Sequence, residues 1–292
     1  MRKTILMAGL SVNFQSEDPA INLVCTEKHK SFLTNQTPEI NIAVRLGKPP
    51  NGPSADPEFQ SRDWAFFRSG DFFTFRTQKY GSPDATAYYS IVLPADKKCG
   101  ELYLENISST IDSSIPVYVP PLFIDSVLGV HLVSLHNGLM FHACGLETSR
   151  GNGLLFCGPS GTGKSTTGKL WQNDRQAFVL GDECIAILKK GGVFWLHSTA
   201  WHGNGQPSIP NKTIANNLFI LHHSSTNQSR LLKPAEAVAK LLPLVFLPYW
   251  HREQMNASLM FLEDLCTSIP CYQLGFTPDQ RAVDYVQCLI SS

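Results

Sequence analysis

The segment Gly158-Pro-Ser-Gly-Thr-Gly-Lys-Ser-Thr166 constrains this chain more than any other stretch of its 292 residues. It satisfies G-x-x-x-x-G-K-[ST] through Gly158, Gly163, Lys164 and Ser165. At typical residue frequencies such a match arises by chance about one time in a hundred in a chain of this length. Its flanks fit as well. The apolar run Leu154-Leu-Phe-Cys157 predicts a strand before the loop, and Lys164 to Trp171 predicts a helix after it. Glycines let backbone N–H groups converge on phosphate oxygens, and the helix N-terminus adds partial positive charge. Lys164 then reaches the β and γ phosphates, and Ser165 Oγ suits Mg²⁺. Expected nucleotide contacts run over Gly158, Ser160, Gly161, Thr162, Gly163, Lys164, Ser165 and Thr166.

A loop of this kind needs an acidic partner for its metal at the end of a neighbouring strand. Asp182 and Glu183 follow the apolar run Phe178-Val-Leu180 and Gly181, far enough after Lys164 for one helix and one return strand. Adjacent carboxylates suit two tasks, metal coordination and acceptance of a proton from an attacking hydroxyl. The expected metal pair is Ser165 with Asp182. His142 lies on the apolar run that enters the same sheet.

Composition narrows the partners. Lys+Arg and Asp+Glu each number 24, and charged residues make up 16 % of the chain. With no basic excess, a nucleic-acid partner is not expected. No run approaches the ~20 apolar residues of a membrane span, so no membrane partner is expected either. Met1-Arg-Lys-Thr-Ile-Leu-Met-Ala-Gly-Leu10 reads as a first strand rather than a signal peptide. The eight cysteines show neither a CxxC pair nor a zinc-type cluster. Cys157 and Cys271 read as small buried hydrophobes. The expected compartment is a reducing cytoplasm, and a homo-oligomer stays open.

Along the chain, residues 1–120 read as short strands and turns, with strands at Ile40–Leu46, Trp64–Arg68, Phe72–Arg76, Tyr88–Leu93 and Leu102–Ile107. Gly47 to Pro57 reads as a loop. The aromatic cluster of Trp64, Phe66, Phe67, Phe72, Phe73 and Phe75 reads as sheet core. Residues 121–292 read as a second domain, in which strands interleave with helices. Helices are expected over Leu122–Leu135, Ala235–Leu247, Glu253–Leu265 and Pro278–Leu289, and a hairpin over Cys184–His197 turning at Lys189-Lys-Gly-Gly192. His197 and His202 flank Trp201 near the expected active edge, where substrate contact and a purely structural role both stay open. His222-His223 does not read as a metal pair, since adjacent strand residues point to opposite faces. Arg150, Arg175, Arg230 and Arg252 are all candidates to stabilise phosphoryl charge.

The order Phe141-His142-Ala143, a strand and turn, the loop Gly158 to Ser165, then Leu180-Gly181-Asp182-Glu183 resembles the nucleotide-binding core of the HPr serine kinase/phosphorylase family and its smaller relatives. The loop is also similar to that of ATP-dependent phosphoenolpyruvate carboxykinase. Ser198-Thr-Ala-Trp-His-Gly203 and Pro234-Ala-Glu-Ala237 extend the resemblance more loosely. It implies an α/β fold, a P-loop kinase core of the HPr kinase and phosphoenolpyruvate carboxykinase type preceded by a β-rich N-terminal domain. It implies ATP as phosphate donor and Mg²⁺ as cofactor, with Lys164 on the phosphates, Asp182 or Glu183 taking the hydroxyl proton, and His142 beside the acidic pair. Glu183 stands where the HPr kinases have Asp, and their Glu-Ile-Arg-Gly-Leu-Gly signature is absent. The implied acceptor is accordingly a serine-type hydroxyl on a peptide, protein or small molecule. A nucleotide-binding scaffold without phosphotransfer and a carboxykinase-like lyase are the alternatives.

Overall fold

The computed structural model describes the chain except residues 51–55, 78–87, 95–97, 106–114, 122–124, 176, 202–207 and 292. The middle of the expected Gly47–Pro57 loop, the end of the expected strand at Ile107, the start of the expected helix at Leu122 and His202 lie outside the described residues. The chain divides into two compact units, Met1–Leu132 and Val133–Ser292.

The first unit holds β1 (Arg2–Met7), β2 (Leu10–Gln15), β3 (Ile21–Cys25), β4 (Ile40–Leu46), β5 (Phe59–Gln60), β6 (Trp64–Ser69), β7 (Phe72–Thr77), β8 (Tyr88–Pro94), β9 (Cys99–Glu105) and β10 (Ile115–Val119), with the short helix α1 (Glu27–Lys30). A mixed sheet runs β1-β2-β4-β9-β8-β7-β6-β5, and β10 pairs β3 separately. Period-two alternation makes one face of this sheet: Ile40, Ile42 and Val44 are buried, whereas Asn41 and Arg45 are exposed. Trp64, Phe66, Phe73 and Phe75 are buried on the core side, whereas Phe72 is 49 % exposed. The rings of Phe73 and Phe75 stand edge-on to His131, at 5.5 and 4.8 Å between centroids. That residue belongs to α2 (Asp125–Leu135), a helix that runs across the division between the units.

The second unit comprises β11 (Gly138–Glu147), β12 (Gly153–Cys157), α3 (Lys164–Arg175), β13 (Phe178–Gly181), β14 (Cys184–Lys190), β15 (Val193–Ser198), β16 (Lys212–His223), β17 (Gln228–Leu231), α4 (Pro234–Leu241), β18 (Val245–Phe246), α5 (Arg252–Ser268), β19 (Cys271–Phe276) and α6 (Gln280–Ser291). Two long strands serve several neighbours along their length. β11 pairs β14 up to His142 and β13 at Gly145–Glu147, while its opposite edge pairs β12 from Ala143 onward. β16 pairs β15 at its start, then lies parallel to β12 and to β19. Parallel strands covered on both faces read as continuous apolar runs, and every residue of β12 is buried.

On one face Trp171 of α3 and Val283 and Val286 of α6 pack with Phe156, Phe219 and Leu274; on the other Leu241 of α4 and Phe261, Leu262 and Leu265 of α5 pack with Leu155 and Leu218. Phe219 is stacked between Phe156 at 5.0 Å and Tyr272 at 5.5 Å. The β14–β15 hairpin turns through Gly191 and Gly192 at φ +59° and +80°, a turn that requires two left-handed residues.

One expected helix is corrected. The run Ala235–Leu247 is helical only to Leu241, then forms a 3₁₀ turn over Leu242–Leu244 and the short strand β18. Pro243 lacks the N–H that would continue the helix. Among the described residues no helix is long and apolar enough to cross a membrane.

Phe219→Ala removes the middle ring of the three-ring stack. It should cost about 3–5 kcal/mol, seen as a lowered urea midpoint.

Candidate functional site

The glycine-rich segment joins the buried end of β12 to the start of α3. Gly161 and Gly163 sit at φ +84° and +99°, the left-handed region where glycine is unstrained. Thr162 closes the turn, its N–H and hydroxyl both donating to the Pro159 carbonyl at 3.3 and 2.7 Å. Lys164 turns back beneath it. Its Nζ donates to Gly158 O at 2.8 Å and to Pro159 O at 3.1 Å, and the residue is only 6 % exposed.

His142 lies mid-way along β11. It is the last residue paired with β14, opposite Cys184, and its neighbour Ala143 is opposite Cys157 of β12. His142 is thereby placed between the end of β12 on one edge of β11 and the start of β14 on the other. Lys164 Nζ lies 2.9 Å from His142 Nε2, and His142 Nδ1 lies 3.1 Å from the Glu183 carbonyl oxygen. A carbonyl can only accept, so Nδ1 carries the proton, and Nε2 is left to accept from the ammonium. Both neighbours thus select the same neutral tautomer. Glu183 Oε1 stands 3.3 Å from the same Nδ1.

The two carboxylates separate. Asp182 lines a cleft of about 340 Å³ together with Ser165, Lys169 and Gln172 of α3, and Val179 and Gly181 of β13. Glu183 is held at His142 instead, from the bend that joins β13 to β14. Ser160, Ser165 and Thr166 are exposed, and Thr162 and Gly163 are half-buried. Asp182 with Ser165 offers two hard oxygen donors on one cleft, a donor set that suits Mg²⁺.

Burial pulls Lys164 below the ordinary lysine value, with the Glu183 carboxylate as the main opposing influence. Burial also pushes the Cys144 and Cys184 thiols up to about 12. Cys157, just before the loop, is raised by burial too. These neutral thiols leave Lys164 as the charge within the loop.

Other sequence candidates fall elsewhere. His197 is buried in β15 opposite Ala186, and it does not line the cleft. Arg150 donates to Ser291 Oγ at 3.3 Å. Arg230 makes two bonds to Glu236, at 2.9 and 2.6 Å, and one to Gln273 at 3.1 Å. Arg252 is exposed in the first turn of α5, and the side chain of Arg175 is outside the described residues. His222 and His223 diverge: His222 packs against Gly275, and His223 Nε2 donates to Gly161 O at 3.0 Å. Among the described residues no group of three or more His, Cys, Asp or Glu is placed to hold a metal ion.

Sequence reasoning missed Lys169 and the contact of His223 with the loop, having weighed that histidine only as half of a metal pair. The four-residue step from Ser165 to Lys169 on one helix face could have indicated the first. Nothing local indicates the second, because the bond to Gly161 depends on strand order.

No protein-family model matches the chain, and no curated protein matches it. Among solved structures it shows a weak likeness to the Hpr(Ser) kinase/phosphatase from Coxiella burnetii. The two share 11 % identity at a TM-score of 0.30, over 52 % of this chain and 92 % of that one.

The lowered Lys164 value sets a pH dependence. Between that value and the ordinary one, the unfolded chain binds a proton that the folded chain lacks, so stability rises with pH across the window. Lys164→Met has no such titration. As pH rises toward the ordinary lysine value of about 10, the urea midpoint of the native protein should rise relative to that of Lys164→Met; a constant difference would count against a buried ammonium.

Proposed function

We propose that this chain is an ATP- and Mg²⁺-dependent phosphotransferase that delivers the γ-phosphoryl group to a serine-type hydroxyl of a peptide, protein or small molecule. One observation carries the reading. The loop that closes over a buried Lys164 and opens α3 adjoins a cleft where Ser165 and Asp182 stand together.

On this reading the loop amides and the N-terminus of α3 hold the phosphates of ATP, and Lys164 exchanges its hold on the Gly158 and Pro159 carbonyls for phosphate oxygens. Ser165 and Asp182 would hold Mg²⁺, which when bound neutralises charge on the phosphates. Glu183 takes the proton of the acceptor hydroxyl. The freed oxygen attacks the γ-phosphorus, the bond to the β–γ bridging oxygen breaks, and ADP leaves. His142, fixed as its Nδ1–H tautomer, keeps Glu183 beside the loop and gives Lys164 a neutral acceptor. Positioning and electrostatics supply the rate, since phosphoryl transfer asks little covalent chemistry of the protein.

The test is incubation with ATP, Mg²⁺ and a panel of serine-bearing peptides plus free serine, read as a phosphate mass increment. Lys164→Ala should lower turnover by about 10²-fold or more. Asp182→Asn should retain part of the ATP binding and lose turnover. Tight ATP binding with no increment on any acceptor would favour a nucleotide-binding scaffold, and an absence of ATP binding would overturn both.

A further inference from the structure

We infer that His223 is a positioning residue that latches the glycine-rich loop in its phosphate-holding shape; this rests on the reading that the loop holds a polyphosphate. β16 and β19 run parallel, with His223 directly opposite Phe276. Both strands end beside the loop, and each of these paired residues meets one of its two left-handed glycines. The Phe276 ring lies against Gly163 so closely that a Cβ there would overlap it. His223 Nε2–H donates to the Gly161 carbonyl at 3.0 Å.

The second contact controls a peptide plane. Because the peptide unit is planar and trans, fixing the Gly161 carbonyl fixes the direction of the Thr162 N–H on its other side. That N–H donates to Pro159 O at 3.3 Å and closes the turn. Gly161 has nothing within 4 Å of a would-be Cβ, so side-chain packing does not hold this residue. Glycine adopts φ of either sign readily. Without the latch the Gly161–Thr162 peptide keeps the long Thr162 N–H bond to Pro159 O and loses the restraint on its carbonyl end, and a rotated carbonyl would face phosphate oxygens with negative charge. His223 is itself exposed, so its bond is a local restraint on the loop and adds little to the core. His222, one residue earlier, faces the other way onto Gly275 and cannot substitute for it.

The experiment compares the native protein with His223→Ala and His223→Gln, the latter able to present an N–H donor at similar reach. Two quantities are read: amide hydrogen exchange at Ser160 to Gly163 without nucleotide, and the Kd for ATP with Mg²⁺. His223→Ala should exchange faster in the loop and bind ATP about 3- to 10-fold more weakly, the worth of one neutral hydrogen bond. His223→Gln should restore both, with the urea midpoint the same in all three proteins. Loop exchange and affinity in His223→Ala equal to those of the native protein would overturn the latch. Faster loop exchange in His223→Ala, together with no ATP binding by the native protein, would support the latch and overturn the nucleotide reading instead.

Discussion

An ammonium group stripped of most of its water must find acceptors within the protein, and Lys164 finds the Gly158 and Pro159 carbonyls and His142 Nε2. The rest of the site follows from that need. Two carbonyls turned inward toward Nζ give the loop its closed form. A histidine that must accept at Nε2 must donate at Nδ1, which directs it to the Glu183 carbonyl. Glu183 is thereby separated from Asp182, and the acidic pair is divided between the histidine and the cleft. The surrounding cysteines contribute by staying neutral, since burial holds Cys144 and Cys184 in the thiol form.

The scaffold meets this need by bringing strand ends together on the two edges of β11. Cys184 at the start of β14 stands opposite His142 on one edge, and Cys157 at the end of β12 stands opposite Ala143 on the other. β16, paired with β15 at its start, becomes the middle of the parallel set β12, β16 and β19. Ligands of open α/β sheets collect at the carboxyl ends of such strands. Here those ends are Cys157, His223 and Phe276, which reach the loop from below and beside it. Apolar layers of α3 with α6, and of α4 with α5, bury both faces of the set and keep the three ends at fixed separations.

How much of this was legible in the sequence depended on the range of the interaction. The loop was readable because its determinants are consecutive: two glycines, a lysine and a serine between an apolar strand and a helix. Asp182 and Glu183 were readable as a pair, but their separation was not, because it depends on His142 of β11 lying beside the bend between β13 and β14. His223 was invisible for a similar reason. Its partner Gly161 is distant in the chain, and only the parallel pairing of β12 with β16 brings the two together. In β2 the alternation of Leu10, Val12 and Phe14 with Ser11, Asn13 and Gln15 is itself a strand pattern, but the burial of Ser11 and Asn13 on its polar side, with Asn13 Nδ2 donating to Asn41 Oδ1 at 3.0 Å, depends on the neighbouring strand. The helix expected to reach Leu247 failed at Pro243, a residue whose effect was available locally and was outweighed by an apolar spacing that continued past it.

The neutral balance of 24 basic and 24 acidic residues acquires a structural meaning at this site. Arg230 is committed to Glu236 and Gln273, and Arg150 reaches Ser291. Positive potential near the loop therefore comes from α3, through its N-terminus, Lys164 facing the loop and Lys169 facing the cleft. A lysine is a compact charge on a flexible stem, whereas arginine imposes a planar fork. On the proposed reading, charge building on the phosphoryl group is met by backbone amides of fixed direction and by lysines that can follow it. Geometric precision then has to reside in the loop backbone, which is why the peptide at Gly161, unsupported by packing, needs a side-chain restraint from the neighbouring strand.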